Sequence, residues 1–235
     1  QVAAGEMILG KTDKDIPVAI PMGDNQASFL GSVQAGNDVL VNIGTGSQIS
    51  IRSEKIRSLP PLETRPYING NYLLVGSALC GGSAYALLRA FFEAVLQGFG
   101  GQVPQNLYEQ MSVMGEKVYP DEFILAVDTR FKGTRSDPGL RGSICNIGMD
   151  NFTPGSLVAG VLCGMVEELK GFYERLPEDL RTAESIAGSG NAIRRNALLR
   201  RIIEDQFGMK LYIPPYQEEG AVGAAMLARN LVMQD

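Results

Sequence analysis

The sequence predicts an α/β fold whose ligand site lies at the carboxyl ends of the strands; two observations carry that expectation and a third narrows its chemistry. The last third alternates cleanly. Ser185–Ala187, Gly188–Gly190, Asn191–Phe207, Lys210–Ile213 and Glu218–Val232 read as strand end, turn, helix, strand and helix. Glycine stands at the strand-to-helix turns, at Gly23, Gly81–Gly82 and Gly188–Gly190, where sheets of this class place their ligands. Histidine is absent from all 235 residues, which removes imidazole bases, Ser-His-Asp catalysis and His-ligated zinc together. A catalytic base must then be a carboxylate, Lys, Tyr or Cys.

The elements follow in order. Val18–Ile20 is a short apolar strand running into Pro21-Met22-Gly23-Asp24, and Asn25–Gln34 suits a short helix, so Asp24 lies at a strand-to-helix turn. Asp38–Ile43 and Ser47–Ile51 are β-type runs joined by the tight hairpin Gly44-Thr45-Gly46. Pro60–Pro66 reads as a loop and Tyr72–Val75 as a strand. Gly81-Gly82-Ser83 opens a helix whose apolar face carries Leu87, Leu88, Phe91, Phe92, Val95 and Leu96, and Gly98–Gly101 ends it. A helix over Asn106–Met114, a strand over Phe123–Val127 and a loop over Phe131–Pro138 come next. Thr153-Pro154 starts a long helix in which Leu157, Val158, Val161, Leu162, Met165 and Leu169 recur at three- and four-residue steps. With no repeat, low-complexity tract or flexible linker, residues 1–235 read as one domain.

Composition narrows the partners. A hydrophobic content of 45% with 28 Gly and 12 Pro is that of a soluble globular protein. The balance of 21 basic against 26 acidic residues gives a net charge of −5, which opposes a nucleic acid or an anionic membrane as main partner. A small anion held by backbone donors stays compatible. Cys80, Cys145 and Cys163 are far apart, form no C-x-x-C pair and read as buried free thiols in a reducing compartment. The apolar runs fall short of the roughly 18 residues that span a bilayer. Gln1-Val2-Ala3-Ala4 has neither a basic start nor an initiator Met. A cytoplasmic protein, in a chain that begins inside a longer one, is the expectation.

Several residues carry chemistry with a plainer role beside it. Gly44-Thr45-Gly46 surrounds one hydroxyl with minimal bulk, so it is either a structural turn or a concavity in which backbone N–H groups approach a phosphate. Gly81-Gly82-Ser83 and Gly188-Ser189-Gly190 open helices, where free N–H groups and the dipole favour an anion. Ordinary helix starts would look the same. Neither G-x-x-x-x-G-K-[ST] nor G-x-G-x-x-G occurs in its required setting, so P-loop and Rossmann sites fall away. Asp24 is a turn former, a cap or a base. Arg194, Arg195, Arg200 and Arg201 are a phosphate patch or a solvated helix face.

Taken in order, these segments resemble the FGGY family of carbohydrate kinases, which have an actin-like ATPase (ribonuclease H-like) fold. Pro21-Met22-Gly23-Asp24-Asn25-Gln26-Ala27 resembles the family's Gly-Asp-x-Gln segment, and Asn42-Ile43-Gly44-Thr45-Gly46-Ser47 its phosphate-holding hairpin. Gly81-Gly82-Ser83 is similar to its second nucleotide contact, Gly188–Asn196 to its adenosine segment, and Glu219–Ala225 to its closing Ala-x-Gly-Ala-Ala helix. The sedoheptulokinase branch is suggested by Gly23–Ser28, by Gly188–Asn196 and by Phe131-Lys132-Gly133-Thr134-Arg135. The gap between Gly190 and Asn196 is longer than in the xylulokinase pattern.

The resemblance implies the C-terminal lobe of a two-lobed sugar kinase that transfers phosphate from ATP to a sugar hydroxyl, for this branch sedoheptulose to sedoheptulose 7-phosphate. It implies Asp24 as general base, with Asn25 and Gln26 beside it at the sugar. It places Gly44, Thr45 and Gly46 on the phosphates, and Gly81, Gly82, Gly188, Ser189, Gly190, Asn191 and Asn196 around the nucleotide. Mg²⁺ would be held by the phosphates and an N-terminal lobe whose Asp-x-Gly-Thr segment has no counterpart here, with no metal ligand in this chain. Sugar, ATP and the N-terminal lobe are the implied partners, with homo-oligomer formation open. Xylulose, ribulose or glycerol as substrate, and a non-catalytic actin-like nucleotide-binding module, remain the alternatives.

Overall fold

The computed structural model describes residues 6–33, 39–120 and 125–233. Gln34, Asp38 and Phe123, assigned above to a helix and two strands, lie outside the described residues. The organising element is a six-stranded sheet. It is built from β3 (Val39–Ile43), β4 (Ser47–Ser53), β5 (Glu63–Pro66), β6 (Tyr72–Ala78), β9 (Ser185–Ser189) and β10 (Lys210–Tyr212), in the order β10-β9-β3-β4-β6-β5. β3, β4, β6 and β5 pair antiparallel, while β9 adds parallel to β3 and β10 parallel to β9. Two small ribbons stand apart, β1 (Ile8–Lys11) with β2 (Pro17–Ala19) and β7 (Ala126–Asp128) with β8 (Ser143–Cys145).

Sheet alternation decides which helices lie where. Val39, Val41 and Ile43 of β3, with Ile49 and Ile51 of β4, face a large core. It is completed by α2 (Gly82–Gly98), α3 (Leu107–Glu116), α4 (Pro154–Glu174), α5 (Asn191–Arg195) and α6 (Ala197–Phe207). Leu40, Leu73, Val75 and Ala187 point the other way, onto Phe29 of α1 (Asp24–Ser32). α7 (Glu219–Val232) closes over α1 along a seam of small residues, where a Cβ on Gly31 would sit 2.9 Å from the Gly223 backbone nitrogen. The α/β class expected from the strand-helix alternation is present.

Several expectations need correction. Pro60–Pro66 is not all loop, because Glu63–Pro66 pairs with β6 as an edge strand, a position where proline is tolerated. The helix expected over Asn191–Phe207 breaks at Asn196, whose φ of −118° and ψ of 106° leave the helical region and whose Oδ1 accepts from the Leu199 N–H at 2.9 Å. Of the apolar face of α2, Leu88 is buried, whereas Leu87, Phe91 and Val95 are exposed and Phe99, just beyond, is 89% exposed. Cys80 is buried as expected, but Cys163 is half-buried and Cys145 is exposed on the β7–β8 ribbon. Thr153 caps α4 by accepting from the Ser156 N–H at 3.1 Å, with Pro154 in the first turn as the sequence suggests. Among the described residues, no helix is long and apolar enough to cross a membrane.

Candidate active site

β3, β6 and β9 run the same way and end at one rim, since Ile43 pairs with Ser47, Ser47 with Ala78, and Asn42 with Ser189. The three glycine-rich turns leave from that rim and touch each other there. Gly44-Thr45-Gly46 closes the β3–β4 hairpin with a Gly44 N–H to Gly46 O bond of 3.0 Å. The start of α2 lies on this tip: the N–H of Gly82 donates to Gly44 O at 2.7 Å, and those of Gly81 and Ser83 both donate to Thr45 O at 3.1 Å. A side chain at Gly82 would place its Cβ 2.7 Å from Gly44 O, so glycine is required by the close approach. On the other side, Gly190 has a φ of +90° and packs its α-carbon against the Ile43 carbonyl.

This contact revises one expectation. The first N–H groups of α2 were candidate anion donors, yet they are committed to the hairpin carbonyls. What α2 contributes is a fixed seat for the hairpin and a bare backbone wall. The tip itself stays open. Thr45 is exposed, and a Cβ at Gly44 would have nothing nearer than Asn42 Oδ1 at 3.9 Å. No side chain therefore crowds the backbone at Gly44.

Asp24 opens α1 and is exposed; its Oδ1 accepts from the Asn25 N–H at 2.7 Å. Asn25 turns inward instead. Its amide donates to Gln48 Oε1 at 3.2 Å and Ser50 Oγ at 3.0 Å, so it pins the first turn of α1 to β4, two residues past the hairpin. Gln26 donates to the Pro66 carbonyl at 3.2 Å and ties α1 to the edge strand. Of the three residues expected at the sugar, Asp24 is exposed, Gln26 half-buried and Asn25 buried.

The β9–α5 turn is braced from two directions. Asn42 Nδ2 donates to Ser189 Oγ at 2.7 Å, which buries the hydroxyl and leaves Gly190 and exposed Asn191 at the rim. Ala192 Cβ would lie 3.8 Å from a Cβ on Gly82, so α5 and α2 border the same hollow. Arg194 is neither phosphate patch nor solvated face: it pairs with Glu219 at the start of α7 and donates to Pro214 O at 3.2 Å. Arg200 likewise donates to Ile193 O at 2.9 Å and Arg194 O at 3.0 Å. Arg201 stacks over Tyr119 with its guanidinium carbon 5.3 Å from the ring centre.

Sequence reasoning missed two residues. Lys132 Nζ lies 3.4 Å from Ser83 Oγ and brings an ammonium beside the α2 start. Its segment reads in sequence as a loop, and nothing local indicates that it folds back 49 positions. Asn42, the brace on Ser189, acts across 147 positions and reads in sequence as an ordinary strand residue. Among the described residues, no three Asp, Glu, Cys or His side chains cluster as a metal site would need.

Residues 39–230 match the FGGY family of carbohydrate kinases, C-terminal domain. Human sedoheptulokinase is 25% identical over 228 residues, which cover 93% of this chain and 47% of that protein. The mouse sedoheptulokinase is 24% identical over 239 residues, covering 94% and 48%. The chain thus spans about half the length of the curated relatives it matches. Xylulose kinase from Rhodospirillum rubrum superposes with a TM-score of 0.80 at 22% identity over 97% of this chain and 47% of that one. The ADP-bound glycerol kinase of Plasmodium falciparum superposes with 0.74 at 23% identity over 94% and 44%. The fold is therefore the one expected from the resemblance, and the chain belongs to the FGGY family of carbohydrate kinases.

Proposed function

We propose that this chain is the C-terminal lobe of an ATP-dependent sugar kinase, with sedoheptulose as substrate and Asp24 as general base. The carrying observation is the meeting of three glycine-rich turns at one rim, with the first turn of α1 pinned to β4 next to the hairpin. Family membership and the two sedoheptulokinase relatives support the reaction and the choice of sugar.

Phosphoryl transfer asks a protein for position and charge stabilisation more than for covalent chemistry. The hairpin would hold the β- and γ-phosphates through the N–H groups of Thr45 and Gly46 and the hydroxyl of Thr45, with Gly44, whose own N–H is bonded to Gly46 O, leaving the approach bare and the Lys132 ammonium close by. Gly81, Gly82 and the turn Gly188–Asn191 would border the nucleoside. Ser189 and Asn196 would act from behind that wall, since their side chains are engaged with Asn42 and Leu199. Asp24 would accept the sugar hydroxyl proton as the attacking oxygen becomes acidic, while Asn25 and Gln26 fix the helix that carries it. Magnesium would be held by the phosphates and by a preceding lobe, which would also supply most sugar contacts.

The test is turnover by the full-length protein with ATP and Mg²⁺ against a panel of C5 to C7 ketoses and glycerol. Sedoheptulose is expected to give the highest kcat/KM. A better pentulose or polyol would move the protein to another branch of the family, and nucleotide binding without phosphorylation of any sugar would overturn the kinase reading.

A further inference from the structure

We propose, on the reading of the rim as a nucleotide site, that Lys132 meets the terminal phosphate and lets this rim tell ATP from ADP by charge.

Few groups around the rim offer positive charge to a polyphosphate. The N–H groups of Gly81, Gly82 and Ser83, which a helix start would ordinarily turn towards an anion, are committed to the carbonyls of Gly44 and Thr45. Arg194 leaves the same rim but pairs with Glu219. Arg195 is exposed, yet it stands on α5, at the nucleoside end. Lys132 is different. It is exposed, no carboxylate pairs with it among the described residues, and its ammonium lies 3.4 Å from Ser83 Oγ. That separation is long for a hydrogen bond and engages one of the three donors of an ammonium, so the group can turn to an anion.

Its place on the rim selects the far end of the phosphate chain. A Cβ on Gly82 would lie 3.8 Å from Ala192 Cβ, so that flank of α2 faces α5 and the nucleoside. Ser83 stands one residue on, about 100° round the helix axis, on the flank that carries Lys132 instead. The Ser83 N–H donates to Thr45 O at 3.1 Å, which keeps this flank against the hairpin tip. A nucleotide laid from α5 across the hairpin therefore brings its last phosphate towards the ammonium.

The loop that carries Lys132 is fixed on both sides of it. Phe131 packs against the core. Gly133 has a φ of +73°, and a Cβ there would sit 2.5 Å from Asp137 O, the carbonyl that accepts from the Thr134 N–H at 2.9 Å. Arg135 pairs with Glu63 on the edge strand. A side chain carried on a braced turn meets a ligand at less entropic cost than one on a loose loop.

The experiment is calorimetric titration of the full-length protein with adenosine, ADP and ATP in Mg²⁺, with no sugar present. Lys132→Met is expected to weaken ATP about tenfold or more, the loss of one hydrogen bond to a charged group, and ADP no more than about threefold. Adenosine affinity should be unchanged, which also reports that the variant is folded. Ser83→Ala removes the neighbouring hydroxyl but keeps the ammonium, and should stay within about threefold of wild type on ATP. Unchanged ATP affinity in Lys132→Met, equal losses for ATP and ADP, a parallel loss for adenosine, or a Ser83→Ala defect as deep as that of Lys132→Met would each overturn the role of Lys132 and leave the nucleotide site standing. A wild-type protein that binds no ATP would remove the nucleotide site and the role of Lys132 together.

Discussion

Gly44 and Gly82 are joined by one hydrogen bond, yet a methyl group would act differently at each. At Gly82 the new Cβ would press on a backbone oxygen 2.7 Å away, whereas at Gly44 it would enter open space. Gly82→Ala is therefore expected to cost about 1 to 3 kcal/mol of stability. Gly44→Ala should stay within about 0.5 kcal/mol and weaken ATP more than adenosine. Denaturant unfolding and nucleotide titration separate the two, and equal destabilisation would refute the close-approach argument. Asp24→Asn is expected to lower kcat by about 10² to 10⁴ with ATP affinity nearly intact; wild-type turnover would remove Asp24 from the mechanism. The turns that carry Gly44, Gly82 and Asp24 were legible because turn chemistry is local. Lys132 and Arg194 were not, because the first acts on Ser83 and the second on Glu219, and no local pattern encodes a long side chain's distant partner.

Among the elements, those with strong periodicity or capping chemistry were readable. The stripe from Leu157 to Leu169 and the Thr153 cap located α4, and the Gly44 hairpin located β3 and β4. β5 was hidden because Pro66 weakens its β pattern, and only pairing with Tyr72 to Val75 makes Glu63–Pro66 a strand. The break between α5 and α6 was hidden for a different reason. Residues 191–207 are helical in composition throughout, and Asn196 ends one helix by capping the next. Asn196→Ala should then cost about 1 kcal/mol of stability, measurable by chemical denaturation, and should shift α5 relative to the rim. A cost near zero would mean that the break is set elsewhere. The exposed face of α2 shows the limit of amphipathic reasoning: periodicity identified the stripe through Leu87, Phe91 and Val95 but not whether this lobe covers it.

For the whole molecule, the described chain has its own core on both sides of the sheet, so residues 1–235 alone are expected to fold. Nucleotide binding should be weak and sugar phosphorylation absent, because in-line transfer needs both reactants fixed in one geometry, and positioning supplies roughly 7 to 11 kcal/mol. Assay of the isolated chain beside the full-length protein with ATP, Mg²⁺ and sedoheptulose decides this, and comparable kcat/KM would sink the two-lobe argument. The α1–α7 seam has a consequence for how the protein is made. Ala27 and Gly223 meet across about 200 residues of chain, which a ribosome working at about 5 to 20 residues per second needs roughly 10 to 40 s to synthesise. Through that interval α1, with Asp24 at its tip, has no α7 to close over it. A nascent chain could complete the α4 side of the sheet first, leaving the helix with the proposed base as the last part to settle and the natural place for a chaperone to hold.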